Sequence, residues 1–377
     1  MDDAYRTLLS LIAPLIGGRA GACAPVEDAR LCHLAAHHSV TNLLYLARKD
    51  DPALPPNVRE YLEGKLFRSA QIQLMQEREA ARVFAALEAA GVRYLPMKGV
   101  VLRPFYPAPE MRVSCDVDIF YDKEKRAAVG EMMTSLGFAE TGVDANHTAY
   151  RRGQVSVEMH HNLLTDQPTV DRYYADAFSR LLPDGGCRYR MRDEDFYIYG
   201  TVHAMKHFVV AGIGIRPVMD VFVFRRTHPD MDRAYLTAEL GKLGLLSFHT
   251  ALETLADVYF DARPMPPELE AVSDYLLGSG TYGTAAQAAA NRLRGGGKMR
   301  LFFRRAFPPY RVMREKYPAL RRFPPALPFF WCGRLFRAVF GKGGQAEKEV
   351  RAACASREED GERLADVMRR VGLDGYR

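Results

Sequence analysis

Residues 94–120, YLPMKGVVLRPFYPAPEMRVSCDVDIF, decide how the rest of the chain is read. The stretch opens as a short apolar strand, turns at Lys98-Gly99, crosses a loop and closes with Asp116 and Asp118 on a second apolar run. In a strand, residues i and i+2 point to the same face. Two carboxylates aimed at one point repel each other, and folding alone does not favour that. A divalent cation removes the conflict, and hard oxygen ligands suit Mg²⁺ or Mn²⁺. The plainer alternative is a strand end with two solvated acids.

Downstream, Lys123–Leu136 reads as a helix stopped by Gly137. Three strands follow, at Phe138–Gly142, His147–Arg152 and Gln154–His160. Interleaved helices and strands imply an α/β or α+β module with a mixed sheet. In the last strand Val155, Val157 and Met159 alternate with Ser156, Glu158 and His160, so one face is apolar and the other polar. If this strand pairs beside the aspartates, Glu158 joins them. Three carboxylates holding two cations is an arrangement for in-line phosphoryl or nucleotidyl transfer. His160 would share that face and reach metal-bound phosphate or the acceptor, with His161 turned to packing or solvent. At the strand-to-helix turn, Gly99 lets backbone N–H groups approach phosphate oxygens, and Lys98 adds a point charge. Most such turns are structural, but this one stands ahead of an acid pair. Arg112 and Ser114 flank the acids and could also hold a nucleotide.

The order strand, LPMKGVVL, YP, RVSCDVDIFYD, helix, LGF and VEMHH resembles the uncharacterised nucleotidyltransferases of the DNA polymerase beta superfamily. The shared elements are a Lys-Gly turn, an R-x-x-x-D-x-D strand and an acid-x-His stretch. HLAAHHSVTNLLY, HAMKHF…GIRPVMDV and FPPYRVMREKYP are similar to the same family, which extends the likeness over about residues 30–340. The resemblance implies an α+β fold, a polymerase-beta-like core flanked by helices. It implies Asp116 and Asp118 as metal ligands and Glu158 as the third carboxylate. Lys98-Gly99 stands where the wider superfamily has Gly-Ser, so a cation replaces a hydroxyl.

Around this core we expect helical residues 1–90, the α/β core at 91–165, a helical domain at 166–290 and a basic, proline-containing region at 291–377. A long helix over Val58–Ala90 should stop at Gly91. His33, His37 and His38 are expected on the polar face of a bundle helix. Further helices are expected at Asp171–Leu182, Glu194–Val210 (capped by Asp193), Val218–Arg226, Tyr235–Leu243, Ser247–Phe260 and near Glu347–Val371. His203 and His207 share a helix face, but residue 204 is Ala, so this is not the HExxH zinc-protease pattern. A structural role through His207 and Asp220 is expected instead. There is no Walker A pattern and no G-x-G-x-x-G.

The totals fit this picture. The chain has 377 residues, 48% hydrophobic and 26% charged, the balance of a soluble globular protein. No apolar run reaches about 18 residues, and the N-terminus opens with acids, so neither a spanning helix nor a signal peptide is expected. Six scattered cysteines without a CxxC pair suit reduced thiols and a cytoplasmic location. Arg292–Lys342 holds fourteen Lys or Arg against one acid, Glu315, so the rest of the chain carries about −7 against the total of +6. Such a segment can contact a polyanion, or it can be a solvated face covering an acidic neighbour.

The leading expectation is a Mg²⁺- or Mn²⁺-dependent enzyme that moves NMP from an NTP to an unknown small-molecule, protein or RNA acceptor. One alternative is a non-catalytic nucleotide-binding or antitoxin-like regulatory protein. Another is an RNA-directed nucleotidyltransferase that grips its acceptor with the basic tail.

Overall fold

The computed structural model describes residues 1–163, 167–281, 319–340 and 358–376, with isolated positions between 283 and 317. The chain forms two compact units. One comprises Met1–Lys206 and Ile213–Thr281; the other comprises His207–Gly212 and Tyr282–Arg377.

The first unit opens with α1 (Asp3–Ile12), α2 (Asp28–His37) and α3 (Thr41–Arg48). Asp2 caps α1, its side chain accepting from Tyr5 N. Then comes α4 (Pro56–Ala89), a helix of 34 residues. Pro56 starts it, where a missing N–H does no harm, and Gly91 ends the turn with φ +61°. His33 is exposed, but His38 is fully buried, so the polar-face expectation fails there. The reason is local: α2 ends at His37, and helical spacing no longer governs the next residue. His38 instead packs edge-on against Tyr5. Burial first, and the neighbouring His37 second, push its pKa down to about 3.

The α+β core holds β1 (Tyr94–Met97), the one-turn helix α5 (Gly99–Leu102), β2 (Val117–Tyr121), α6 (Arg126–Ser135), β3 (Ala139–Val143), β4 (His147–Arg152) and β5 (Val155–His160). The sheet is mixed, in the order β1-β2-β5-β4-β3. Only β2 and β5 pair in parallel. Their connection is long enough for a crossover because α6 and the β3–β4 hairpin fill it. Pro96 is tolerated because β1 is an edge strand of this sheet. Val117, Ile119 and Tyr121 of β2 and Val155, Val157 and Met159 of β5 share one apolar cluster with Ala80, Val83 and Leu87 of α4 and Val129 and Met133 of α6. The opposite face of β2 carries Asp118 and Phe120.

A helix expected over Asp171–Leu182 is instead α7 (Pro168–Tyr173), a 3₁₀ turn at Ala177–Arg180 and the start of a small hairpin, β6 (Leu182–Pro183) with β7 (Tyr189–Arg190). At Pro183-Asp184-Gly185-Gly186 both glycines take positive φ, which turns the chain from β6 into β7. The hairpin covers the free edge of β1: Tyr94 N donates to Cys187 O at 3.0 Å.

The unit is completed by most of α8 (Asp193–Val210), then α9 (Ile215–Thr227), α10 (Arg233–Leu243), α11 (Leu246–Phe260) and α12 (Glu270–Ser279), the last not anticipated. Asp193 begins α8 rather than preceding it. Among the described residues no helix is long and apolar enough to cross a membrane. In the second unit, helices run at Ala319–Arg322, Leu327–Phe340 and Glu358–Arg370. Nearly half of the basic segment 292–342, including residues 292–306, and residues 347–357 of the expected last helix lie outside the described residues.

Ile119 is fully buried in the strand that carries the aspartates. Ile119→Ala should cost about 2–5 kcal/mol of unfolding free energy, read as a lower urea midpoint. A loss under about 1 kcal/mol would mean that β2 is not the centre of the core.

Candidate metal and nucleotide site

Register brings the carboxylates together. Parallel pairing sets Asp118 opposite Glu158, forty residues later in the chain. Asp116 lies just before the first residue of β2. Carboxylate oxygens of Asp116, Asp118 and Glu158 all fall within 4.8 Å of one another. β1 places Met97 opposite Asp118, so Lys98 leaves the strand beside the acids. Lys98 Nζ donates to Asp118 Oδ1 at 2.6 Å, and His160 Nε2 meets the same oxygen at 2.9 Å.

Lys98 holds its position at some cost. Its φ is +52° and ψ −120°, a backbone conformation that L residues rarely adopt and that costs about 1–3 kcal/mol. Val101 N and Leu102 N donate to its carbonyl, and the buried ion pair fixes the other end of the residue.

Electrostatics separate the two aspartates. Burial alone would raise the pKa of Asp118, but Lys98 and His160 outweigh it and hold the carboxyl well below its usual range. Burial likewise works against the Lys98 ammonium, and Asp118 overcomes it, so Lys98 stays charged. His160 follows the same balance and is raised, by its bonds to Asp118 and Glu158 against burial. Asp116 differs. Burial, and then the charge of Asp118, push it up to about 6. Tyr199 of α8 is buried against the same charges and is pushed up to about 12.

The loop before β2 is tied down at several points. A Cβ on Gly99 would lie 1.9 Å from Ser114 Oγ, so Gly99 is needed for close approach of that hydroxyl. Gln76 Nε2 donates to Ser114 O, and Arg216 Nη1 donates to Val113 O. Arg112 is buried and makes a two-pronged pair with Asp220 of α9, at 2.6 Å from Nε and 2.9 Å from Nη2. Tyr106 Oη donates to Asp220 Oδ1 at 2.6 Å. Asp220, expected to join the helical part to the core with His207, makes that join through Arg112 and Tyr106.

The structure thus brings Lys98, Asp116, Asp118, Glu158 and His160 to one place, and Gly99 and Ser114 to the adjoining turn. It sets Arg112 behind the loop, with its guanidinium on Asp220. His161 is buried, its Nε2 3.1 Å from Ala145 O. Sequence reasoning missed His147, Tyr199, Tyr106 and Asp220's true partners. The alternation of β4 puts His147 on the face opposite Tyr150, a usable signal once the β4–β5 register is known.

The Uncharacterised nucleotidyltransferase family matches residues 24–261 of the 377. The chain belongs to that family. No curated protein and no solved structure matches it. The family's span takes in every candidate site residue named above, together with Asp220 and α9. The late FPPYRVMREKYP stretch, part of the likeness noted in the sequence, lies beyond that span.

The donor set fits a divalent cation. Three carboxylates crowd one point, and the crowding is unrelieved at Asp116, whose ionisation its neighbours oppose. All three supply hard oxygen, which suits Mg²⁺ or Mn²⁺.

Two expectations follow. Asp116 binds its proton more tightly when folded, so metal-free protein should lose stability as pH rises from about 4 to about 6, while Asp118 acts oppositely below about 4. Asp116→Asn should therefore raise the unfolding free energy of metal-free protein at pH 7 by about 1–3 kcal/mol. A lower thermal midpoint for the variant would contradict the crowding. Second, Asp220→Ala leaves a buried guanidinium unpaired and should cost about 3–5 kcal/mol. Amide hydrogen exchange should show faster opening at residues 112–116, and unchanged protection there would remove Asp220 as the anchor.

Proposed function

We propose that the chain is a metal-dependent nucleotidyltransferase with a polymerase-beta-like core, moving NMP from an NTP to an acceptor. The single observation that carries this is the meeting of Asp116, Asp118 and Glu158 at one point on a mixed sheet, within a chain of a nucleotidyltransferase family. In this reading the three carboxylates hold Mg²⁺ or Mn²⁺. When bound, such ions activate an attacking hydroxyl and steady the leaving pyrophosphate.

The chain's own residues supply the rest. Lys98 and His160 keep Asp118 ionised, so it is ready to bind a cation at any physiological pH. Both bonds fall on Oδ1. Gly99 and Ser114 leave backbone and a hydroxyl close to the acids, suited to phosphate oxygens. Arg112 acts from behind: with Asp220 it sets the loop that positions Ser114 and Asp116, in place of the direct phosphate contact expected from sequence. Preorganisation of this kind raises the rate because little rearrangement remains during reaction.

A second reading has one observation in its favour. Lys98 already neutralises Asp118 from 2.6 Å, as would suit a protein that binds nucleotide without turning it over. Transfer of an α-labelled NTP into a cell extract separates the two. Wild type with Mg²⁺ should label an acceptor, with Asp116→Asn and Asp118→Asn slower by about a thousandfold or more, the scale of about 4 kcal/mol of lost transition-state stabilisation. Labelling that survives both substitutions removes the carboxylates from catalysis. Nucleotide binding without labelling favours the second reading. An RNA acceptor held by the basic tail would show affinity falling steeply with salt.

A further inference from the structure

Beside the carboxylates lies a second group of potential ligands, made by β4 and β5, which shares Glu158 and His160 with the site above and adds His147. The antiparallel register sets His147 opposite His160 and Ala149 opposite Glu158. His147, Glu158 and His160 each offer a ligand atom within 4.8 Å of the others. His147 Nε2 is 3.5 Å from Glu158 Oε1, and His160 Nε2 is 3.3 Å from Glu158 Oε2. Hydrogen bonds of good geometry are shorter, about 2.7–3.2 Å. A tetrahedral ion with arms of about 2.0–2.2 Å sets its ligand atoms about 3.3–3.5 Å apart. Ala149, small and directly beside Glu158, leaves the carboxylate room. On its far side His147 Nδ1 lies 3.2 Å from Asp144 Oδ2. A carboxylate on one ring nitrogen fixes the tautomer and turns the other nitrogen toward a metal. Asp144 is itself fixed, because Oδ1 accepts from Asn146 N and His147 N.

We propose that His147, His160 and Glu158 form a separate site for a borderline transition-metal ion such as Zn²⁺ or Co²⁺. Two imidazoles and one carboxylate select such ions over Mg²⁺. Three protein ligands leave a coordination position open for an oxygen ligand, the pattern of catalytic rather than structural sites. Glu158 then serves two cations, a hard one with Asp116 and Asp118 and a softer one with the histidines. His160 Nε2, now on Asp118 Oδ1, turns to the ion. Binding of the ion stands without the nucleotidyl-transfer reading; only its part in transfer rests on that reading.

The test uses the full chain, stripped of metal, in excess Mg²⁺ and titrated with Co²⁺ while its visible absorption is followed. One tight Co²⁺ per chain with a low-coordinate spectrum is expected. Asp144→Asn keeps the turn-forming oxygen and should weaken Co²⁺ about 10–100-fold, and His147→Ala should weaken it at least as much. Mg²⁺ affinity should not change in either variant. Cu²⁺ bound to wild type should show nitrogen coupling from two imidazoles by electron paramagnetic resonance. Unchanged Co²⁺ affinity in His147→Ala, or no nitrogen coupling in wild type, overturns the site. Should His147→Ala fail to fold, Asp144→Asn and the wild-type resonance decide. Loss of label transfer with this site intact would count against the transferase reading alone.

Discussion

One buried oxygen organises this molecule. Asp118 Oδ1 receives both Lys98 Nζ and His160 Nε2, from the ends of two different strands, in a place almost closed to water. A carboxylate taken out of water costs several kcal/mol unless it is paired and hydrogen-bonded. That requirement explains the strained backbone of Lys98. With β1 and β5 flanking β2, the sheet delivers both nitrogens to Asp118. The apolar face of the same strands anchors the arrangement on α4 and α6.

The neighbouring acid is treated in the opposite way. Asp116 is half-buried beside Asp118 and, among the described residues, has no cation as close as Lys98 is to Asp118, so its ionisation is resisted and it rises to about 6. One fold thus favours ionisation of one carboxylate and opposes it at its neighbour. In the proposed function a divalent ion supplies what is missing. The loop that carries Asp116 is fixed from behind by Arg112 and Asp220, which ties α9 to the acids through a buried ion pair. Substitutions in α9 would therefore reach the site without touching a ligand.

Much of this was legible in the chain. Asp116, Asp118 and Glu158 were readable because strand period fixes which residues share a face, and because paired acids on an apolar strand lack a folding rationale. The Lys98-Gly99 turn was readable as a turn, but the partner of Lys98 was not, because nothing local encodes that β1 lies antiparallel to β2. Arg112 illustrates the same limit. Its position beside the acids suggests phosphate, and only tertiary packing reveals Asp220 behind it, more than a hundred residues away. His147 stayed hidden because its neighbours depend on strand register, and His38 because helical spacing ends one residue before it. The hairpin at 182–190 was announced by Pro-Asp-Gly-Gly and overridden by the helix-like pattern preceding it.

The central claim is that the three carboxylates hold a divalent cation where a nucleotide's phosphates arrive. Mn²⁺ replaces Mg²⁺ at oxygen sites and speeds the relaxation of nearby phosphorus nuclei. Nuclear magnetic resonance of a non-hydrolysable NTP with Mn²⁺ and the full chain should show strongly enhanced relaxation of the triphosphate phosphorus signals beyond that of free Mn²⁺–nucleotide. The enhancement should vanish in Asp116→Asn and Asp118→Asn proteins that remain folded. Equal enhancement in wild type and both variants would place metal and nucleotide elsewhere and contradict the account.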